Sequence, residues 1–132
     1  MADIEATSVS EEGYTTESEI GGEWQLVVDA LSEDGPDPNQ VLAADYASCY
    51  VPALRVAAQQ TGYDDIGRVE VEVEADLDED DDLEAIEFTV HTEAALGEDV
   101  QEVVELGEEI CHVHSALIDE LHADITLEDD AF

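Results

Sequence analysis

Hydrophobic and polar positions alternate strictly in one stretch of the chain and more loosely in the stretch that follows it. In residues 68–78 (RVEVEVEADLD), every second residue from Val69 onward is apolar and the residues between are acidic. Residues 83–94 present Ile86, Phe88 and Val90 at alternate positions. A period of two is typical of strands with one buried face. The acidic run 78–82 therefore predicts the turn of a β-hairpin.

A second hairpin is predicted near the start of the chain. Residues 14–30 read as two strands, with Gly21 and Gly22 at the turn between them. Residues 31–39 contain one glycine and two prolines and are typical of a loop. Residues 1–12 show no periodicity, and we expect this segment to be frayed.

The longest helix is predicted over residues 38–61. Pro38 suits its first turn and Gly62 its end. Its polar residues form one narrow stripe, and the rest of its surface is almost wholly apolar. A helix with so wide an apolar arc is buried by more than one neighbour. Cys49 lies outside the polar stripe.

Two shorter helices and a strand complete the pattern. Residues 98–110 are amphipathic, although Gly107 is a weak point near the end of that helix. A short helix is predicted after Cys111, and residues 123–128 read as a last strand. The order of hairpin, long helix, hairpin, two helices and strand predicts an α+β fold, with residues 1–132 as a single domain.

The charge of the chain is extreme for its ordinary hydrophobic content of 44%. It has 38 acidic residues against two arginines, Arg55 and Arg68, so its formal net charge is −36. Such self-repulsion destabilises a compact state in dilute buffer, whereas molar salt screens it. We therefore expect an acidic coat on a folded domain, adapted to the saline cytoplasm of a halophile.

The same charge disfavours two classes of partner. Nucleic acids and anionic membrane surfaces both select for lysine and arginine, so we expect neither as a partner. The stretch 41–58 is too often interrupted by polar residues to be a membrane span. The acidic N-terminus lacks the apolar segment of a signal peptide, which favours a cytoplasmic location.

Metal binding is one interpretation of the cysteines and histidines. Zinc accepts thiolate and imidazole ligands, but neither a C-x-x-C nor an H-x-x-x-H motif is present. Because His112 and His114 are two residues apart, they point to different sides of a helix. We expect no metal site. The side chains considered as ligands are Cys111, His112 and His114, which are close in sequence, and the more distant Cys49, His91 and His122.

Two further interpretations concern the cysteines alone. One is a nucleophilic Cys111 with the adjacent His112 as its base. The other is a redox pair, in which one thiol is oxidised by a peroxide and the other resolves the sulfenic acid as a disulfide. Cys111 lies near a helix N-terminus, which is expected to lower its pKa. Residue spacing alone also allows Cys49 and Cys111 to be small apolar core residues.

Two segments resemble motifs of the OsmC/Ohr family of osmotically inducible and organic hydroperoxide resistance proteins. GPDPNQVLAADYASCYVPAL (35–54) is similar to the segment in which a proline-containing loop enters the central helix. CHVHSAL (111–117) is similar to the family's second cysteine motif. The resemblance implies that Cys49 is the peroxidatic cysteine and Cys111 the resolving one.

The resemblance also implies an assembly and an activity. The family's fold has antiparallel sheets and a long central helix, and its chains form intertwined homodimers with active sites at the dimer interface. Its best-studied members reduce organic hydroperoxides with thiol reductants. The resemblance thus implies a thiol peroxidase without metal or cofactor.

The chain departs from the family pattern at the residues that activate the thiol. The family places an arginine from an N-terminal loop and a glutamate beside the reactive cysteine. Here no arginine precedes Arg55, and Asn39 aligns with the glutamate. His112 replaces the proline of the second motif, whereas His114 is a family variant. We therefore treat Asn39, His112 and His114 as supporting candidates. The alternative is a non-catalytic OsmC-like protein that binds a ligand or a partner.

Overall fold

A computed structural model describes residues 2–132. The strands are β1 (Ala6–Val9), β2 (Thr15–Ile20), β3 (Trp24–Asp29), β4 (Val69–Leu77), β5 (Leu83–Thr92) and β6 (Asp124–Glu128). The helices are α1 (Pro38–Gln60), α2 (Val100–Ile110) and α3 (His112–Ala116), with 3-10 turns at Gly97–Asp99 and Asp119–Leu121. Both predicted hairpins, the long helix and the last strand are present, and the α+β class is confirmed.

The N-terminal segment differs from the prediction of a frayed end. Residues Ala6–Val9 form β1, which pairs antiparallel with β2. All four residues of β1 are exposed, so backbone hydrogen bonds rather than burial hold the strand in place. A strand of this kind leaves no apolar pattern in the sequence. Residue 1 lies outside the described residues.

The chain divides into two compact units, one ending at Leu42 and the other spanning Ala43–Phe132. The first unit is the antiparallel sheet β1-β2-β3. The turn between β2 and β3 uses Gly21 and Gly22, both with positive φ, as the hairpin prediction requires.

One face of the first sheet carries no charged residue. The register places Ala6, Ile20 and Trp24 side by side, and Ser18 beside Leu26. The members of this charge-free face are Ala6, Ser8, Thr16, Ser18, Ile20, Trp24, Leu26 and Val28. Trp24 is 65% exposed and Leu26 36% exposed. The face thus exposes apolar side chains in a chain that is otherwise rich in surface acids.

Asp29 organises the loop that leaves β3. Its carboxylate accepts hydrogen bonds from the backbone N–H groups of Leu31, Asp34 and Glu33. These bonds, of which those from Leu31 and Asp34 have the largest effect, hold the pKa of Asp29 below its ordinary value. The buried carboxylate of Asp29 thus accepts the hydrogen bonds of loop N–H groups that a helix or sheet would otherwise pair.

The second unit contains a mixed sheet in the order β4-β5-β6. The pairing of β4 with β5 is antiparallel, as the alternating pattern predicts. The expectation of antiparallel sheets is wrong for the last pair, because β6 runs parallel to β5. Parallel strands need a long connection, and the α2–α3 segment supplies it.

The part of α1 in the second unit packs on this sheet. Tyr46 and Tyr50 are fully buried, with ring centroids 4.7 and 5.7 Å from that of Phe88. The Tyr50 ring packs closely against Gly107 of α2. A Cβ added to this glycine would lie 3.2 Å from the ring. Gly107 is therefore a packing requirement. No helix within residues 2–132 is long and apolar enough to cross a membrane.

The acidic coat leads to a salt-dependence prediction. Asp29 is the one acidic residue in the buried class among residues 2–132. The other carboxylates repel one another through solvent, and molar salt shortens the Debye length from about 10 Å to about 3 Å. Raising KCl from tenth-molar to molar is therefore expected to raise the melting temperature by roughly 10 °C, measured by circular dichroism.

The control for this melting experiment is sucrose at matched osmolality. Sucrose stabilises folded proteins by exclusion from their surface and does not screen charge. If sucrose raises the melting temperature as much as KCl does, charge screening is not the cause and the proposed adaptation to salt is wrong.

Candidate active site

The two cysteines meet although they are far apart in sequence. Cys49 lies in the middle of α1 and is partly buried, whereas Cys111 lies between α2 and α3 and is fully buried. Both belong to one packed cluster, in which Cys111 is a buried member and Cys49 packs against it. The neighbouring Cys49 acts together with burial to raise the pKa of Cys111.

Cys111 occupies the N-cap of α3. Its own N–H donates to Gly107, and its carbonyl oxygen accepts from the N–H of Ser115. The backbone N–H groups of His114 and Val113 act to lower its pKa. The predicted position at a helix N-terminus is thus confirmed.

The expected effect of that position on the pKa of Cys111 is wrong. The N–H donors from His114 and Val113 do lower the pKa, but burial acts in the opposite direction and is stronger. Burial, with a smaller contribution from the neighbouring Cys49, raises the pKa of Cys111 from its ordinary value of 9.0 to about 11. Sequence position reveals the helix terminus but not the depth of burial.

This raised pKa predicts a loss of stability at alkaline pH. Between 9.0 and about 11 the unfolded chain releases the Cys111 proton while the folded chain keeps it. The unfolded state then binds fewer protons, so the free energy of unfolding falls with rising pH across this range and is unaffected below it. The expected loss is about 2 to 3 kcal/mol, measured by denaturant unfolding of the reduced protein.

The matched control for alkaline unfolding is Cys111→Ala. The buried tyrosines also titrate in strong alkali, but they are the same in both proteins. The difference in unfolding free energy between wild type and variant should therefore shrink as pH rises. A difference that stays constant would contradict the assignment of the raised pKa to Cys111.

A hydrogen-bonded network adjoins the cysteines. The Tyr46 hydroxyl lies 2.6 Å from Nδ1 of His114 and accepts the backbone N–H of Ala123 at 3.0 Å. When Tyr46 donates to Nδ1, the proton of the neutral imidazole is on Nε2. That nitrogen lies 4.0 Å from the carboxylate of Glu108.

The electrostatics of this network keep His114 neutral. Burial, followed by the neighbouring His122, lowers the pKa of His114. The two rings stack with centroids 3.8 Å apart and planes inclined by 23°. Burial also raises the pKa of Glu108. Because both shifts oppose charge, the 4.0 Å contact between His114 and Glu108 is not a full ion pair.

Sequence reasoning did not place Tyr46, Glu108 or His122 beside Cys111, and it named His122 only as a possible metal-ligand type. Two of them carried a usable signal. Tyr46 lies three residues before Cys49 and Glu108 three residues before Cys111, a spacing that places side chains on one helix face. His122 lies in irregular chain after a 3-10 turn, and no periodicity marks it.

The remaining supporting candidates are His112 and Asn39. His112 is exposed and is the first residue of α3, a position that favours the proline found in the family motif. As predicted, it points to a different side from the half-buried His114. Asn39 is in the first turn of α1, ten residues before Cys49.

Both arginines of the chain are engaged elsewhere. Arg55 donates to the carbonyl oxygen of Gly67 at 2.8 Å and lies 4.0 Å from Asp65. Arg68 donates to Glu70 at 2.9 Å and lies 4.5 Å from the ring centroid of Phe132. Among the contacts of residues 2–132, neither guanidinium bonds to Cys49.

The side chains that could bind a metal do not form a cluster within residues 2–132. Within residues 2–132, no three side chains of histidine, cysteine, aspartate or glutamate are arranged to hold a metal ion. His91 lies instead between two carboxylates on neighbouring strands, with Nδ1 3.2 Å from Glu128 and Nε2 3.7 Å from Glu72.

Comparisons with known proteins agree with the fold and with the resemblance. The family model for OsmC-like protein matches residues 31–128. An uncharacterized protein of Haloferax volcanii is 51% identical over 133 residues, with 100% of both chains covered. Its source fits the halophilic origin that the charge predicts.

Solved structures show the same fold at low sequence identity. An OsmC-like protein from Mycoplasma pneumoniae has a TM-score of 0.78 at 16% identity, with 97% of each chain covered. The organic hydroperoxide resistance protein OhrB of Bacillus subtilis has a TM-score of 0.71 at 23% identity, covering 96% of this chain and 98% of that chain. At such identities the likeness concerns the fold.

Proposed function

The chain belongs to the OsmC-like family, and from that premise we propose that it is a thiol peroxidase that reduces organic hydroperoxides through Cys49 and Cys111. The observation that carries the proposal is the packing of Cys49 against the buried cluster that contains Cys111, where the two thiols interact. Residues 62 positions apart along the chain meet there, one partly open to solvent and the other fully buried.

The first step oxidises Cys49. Its thiolate sulfur attacks the terminal oxygen of the hydroperoxide, the O–O bond breaks and the alcohol leaves after taking up a proton. Cys49 becomes a sulfenic acid. Its partial exposure suits this role, because the substrate must reach the sulfur.

The second step closes a disulfide. The sulfur of Cys111 attacks that of the Cys49 sulfenic acid, the S–O bond breaks, and the Cys111 proton leaves with the hydroxide as water. A thiol reductant then returns both cysteines to the thiol form by thiol–disulfide exchange. The burial of Cys111 suits a thiol that meets only its partner cysteine.

The working form is a homodimer. The charge-free face of the first sheet supports this proposal, because it exposes Ile20, Trp24 and Leu26 and has no carboxylates in a chain with net charge −36. Two copies of so acidic a protein can approach closely only where acids are absent. Because a second copy has the same sequence, it also supplies no arginine before Arg55.

Turnover tests the proposed activity. The protein in molar KCl is mixed with cumene hydroperoxide and a dithiol, and hydroperoxide consumption is followed for wild type, Cys49→Ser and the exposed neighbour control Ser48→Ala. Consumption by wild type and Ser48→Ala, lost in Cys49→Ser, is the expected result. Equal rates in all three proteins would exclude a reaction at Cys49.

A non-catalytic OsmC-like binding protein is the second candidate. The observation that favours it is the engagement of Arg55 with Gly67 and of Arg68 with Glu70, so that within residues 2–132 neither guanidinium bonds to Cys49. Absence of turnover, together with a saturable change in tryptophan fluorescence on adding a small apolar ligand, would support it over the peroxidase.

A further inference from the structure

The surface of α1 around Cys49 carries a single acidic residue. The chain has 38 acidic residues, yet Asp45 is the one carboxylate among the 23 residues of α1. Asp45 is exposed and Cys49 is partly exposed, so both side chains meet solvent. The one acid of this long helix therefore lies a single turn from the thiol that we propose to react with the substrate.

Helix geometry places Asp45 and Cys49 on the same face of α1. Residues four apart in an α-helix have Cβ atoms about 6 Å apart. The helix is regular across this interval, where the Ser48 hydroxyl donates to the carbonyl oxygen of Ala44 at 2.9 Å over the same four-residue step. Every Cα–Cβ bond in a helix tilts toward its N-terminus, so Cys49 points toward the turn that carries Asp45. A molecule that reaches the sulfur from solvent on this face therefore passes close to the carboxylate.

The same helix face continues beyond Cys49 with apolar residues and without a basic one. Pro52 and Val56 continue the row of residues three and four apart; Pro52 is exposed and Val56 is 39% exposed. Arg55 is the one basic residue of α1, and its guanidinium donates to the carbonyl oxygen of Gly67 at 2.8 Å. An anion that approaches Cys49 thus meets a carboxylate with no compensating cation from α1.

We propose that Asp45 selects against anions at Cys49, so that the thiol that reduces the oxidised site is neutral or positively charged next to its sulfur. The hydroperoxide is subject to the same selection and carries no carboxylate near its O–O bond. At molar salt the Debye length is about 3 Å, so distant acids of the chain are screened. An acid as close as Asp45 is screened less, and it sets the charge preference of the site under saline conditions.

The selection acts when the Cys49–Cys111 disulfide is reduced. Cys111 is fully buried, so the reducing thiolate reaches the disulfide at Cys49. Its sulfur bonds to that of Cys49, the bond to Cys111 breaks, and the departing Cys111 thiolate takes up a proton. A second reductant thiolate then attacks the first reductant sulfur, which joins the two as a disulfide and releases Cys49. A carboxylate beside the attacking sulfur adds a negative charge near Asp45, whereas an ammonium group offsets one.

The test measures the access of charged probes to Cys49 without a hydroperoxide or a reductant. Two methanethiosulfonate reagents transfer either a cationic trimethylammonioethyl group or an anionic sulfonatoethyl group to a thiol. Each is mixed with the reduced protein in molar KCl, and intact mass with peptide mapping follows the loss of the free Cys49 thiol. The ratio of the cationic to the anionic rate is normalised to that for free mercaptoethanol. A change in the ionisation of Cys49 alters both rates equally and leaves this ratio unchanged.

The predicted signature is a rate ratio that depends on the charge of residue 45. Asp45→Asn should lower the ratio roughly twofold to threefold in molar KCl, as expected for one nearby unit charge, and saturating KCl should reduce this difference. Asp45→Lys should lower the ratio further. In turnover with cumene hydroperoxide, Asp45→Asn should raise kcat/KM for mercaptopropionate relative to cysteamine by a similar factor, because these thiols differ in the charge beside their sulfur.

Two outcomes overturn the selection by Asp45. One is the same rate ratio in wild type, Asp45→Asn and Asp45→Lys. The other is an equal shift in Asp64→Asn, the matched control, which removes the same charge from an exposed residue beyond the end of α1 and should keep the wild-type ratio. Because Asp45 is exposed, both replacements leave the core unchanged, and melting curves verify that each variant is folded.

The inference rests on the proposed function only in treating Cys49 as the sulfur that substrate and reductant reach. Because the probes need neither a hydroperoxide nor a reductant, the rate ratio is measured whether or not the protein is a peroxidase. Absence of turnover with a ratio that depends on Asp45 would overturn the proposed function and keep the selection at Cys49. Turnover with a ratio independent of Asp45 would do the reverse.

Discussion

Replacing Cys111 by serine is expected to stop catalytic turnover while leaving the first reaction with hydroperoxide intact. Cys49 in this variant still presents its sulfur to the substrate, so each chain should consume one equivalent and stop as a sulfenic acid. Steady-state consumption with a dithiol should fall by roughly a hundredfold or more, since the resolving thiol is missing. Dimedone labelling of Cys49, measured by mass spectrometry, detects the trapped intermediate.

The comparison protein for this experiment is Cys49→Ser, which should neither consume hydroperoxide nor take up dimedone. Cys111→Ala serves as a second variant, because a serine hydroxyl in a fully buried site costs free energy if it lacks a partner. A Cys111→Ser protein that turns over at the wild-type rate would show that the reductant attacks Cys49 directly and that Cys111 has no resolving role.

Introducing a carboxylate into the charge-free face is expected to break the dimer and abolish turnover. Trp24 is 65% exposed in the single chain and would lie within the proposed interface. Trp24→Glu removes a large apolar contact and buries an unpaired charge, a cost of several kcal/mol in an interface. Light scattering in molar KCl should give the mass of a monomer.

Gln25→Glu is the matched control for the interface. It adds the same charge at the neighbouring residue, whose side chain points to the opposite face of β3. This variant should remain a dimer and retain turnover. If Trp24→Glu is also a dimer, or if Gln25→Glu dissociates as readily, the charge-free face is not the interface.

Local patterns predicted most of the fold. The alternation in residues 69–77 and the paired glycines at 21 and 22 specify hairpins because pleat and turn geometry act over a few residues. The long helix followed from its apolar arc and its Pro38 and Gly62 boundaries. The parallel pairing of β6 with β5 depends on the path of the chain through α2 and α3. The spacing of apolar residues within a single strand carries no information about that path.

The site was predicted only in part. Sequence motifs indicated both cysteines and His114, but contacts of Tyr46 with His114 and Ala123 join residues 68 and 77 positions apart. Such contacts arise from packing of α1 on the later helices and leave no spacing signal. Burial raises the pKa of Cys111, whereas the backbone N–H groups of His114 and Val113 lower it. The balance between the two effects depends on the packing of the folded interior.

Intact-mass analysis with peptide mapping tests the central claim most directly. The reduced protein in molar KCl receives one equivalent of an organic hydroperoxide, and Cys49→Ser is treated in parallel. The account predicts the rapid loss of two hydrogen atoms and a Cys49–Cys111 disulfide that is absent from the variant. No reaction, or slow oxidation at equal rates on both cysteines, would contradict it.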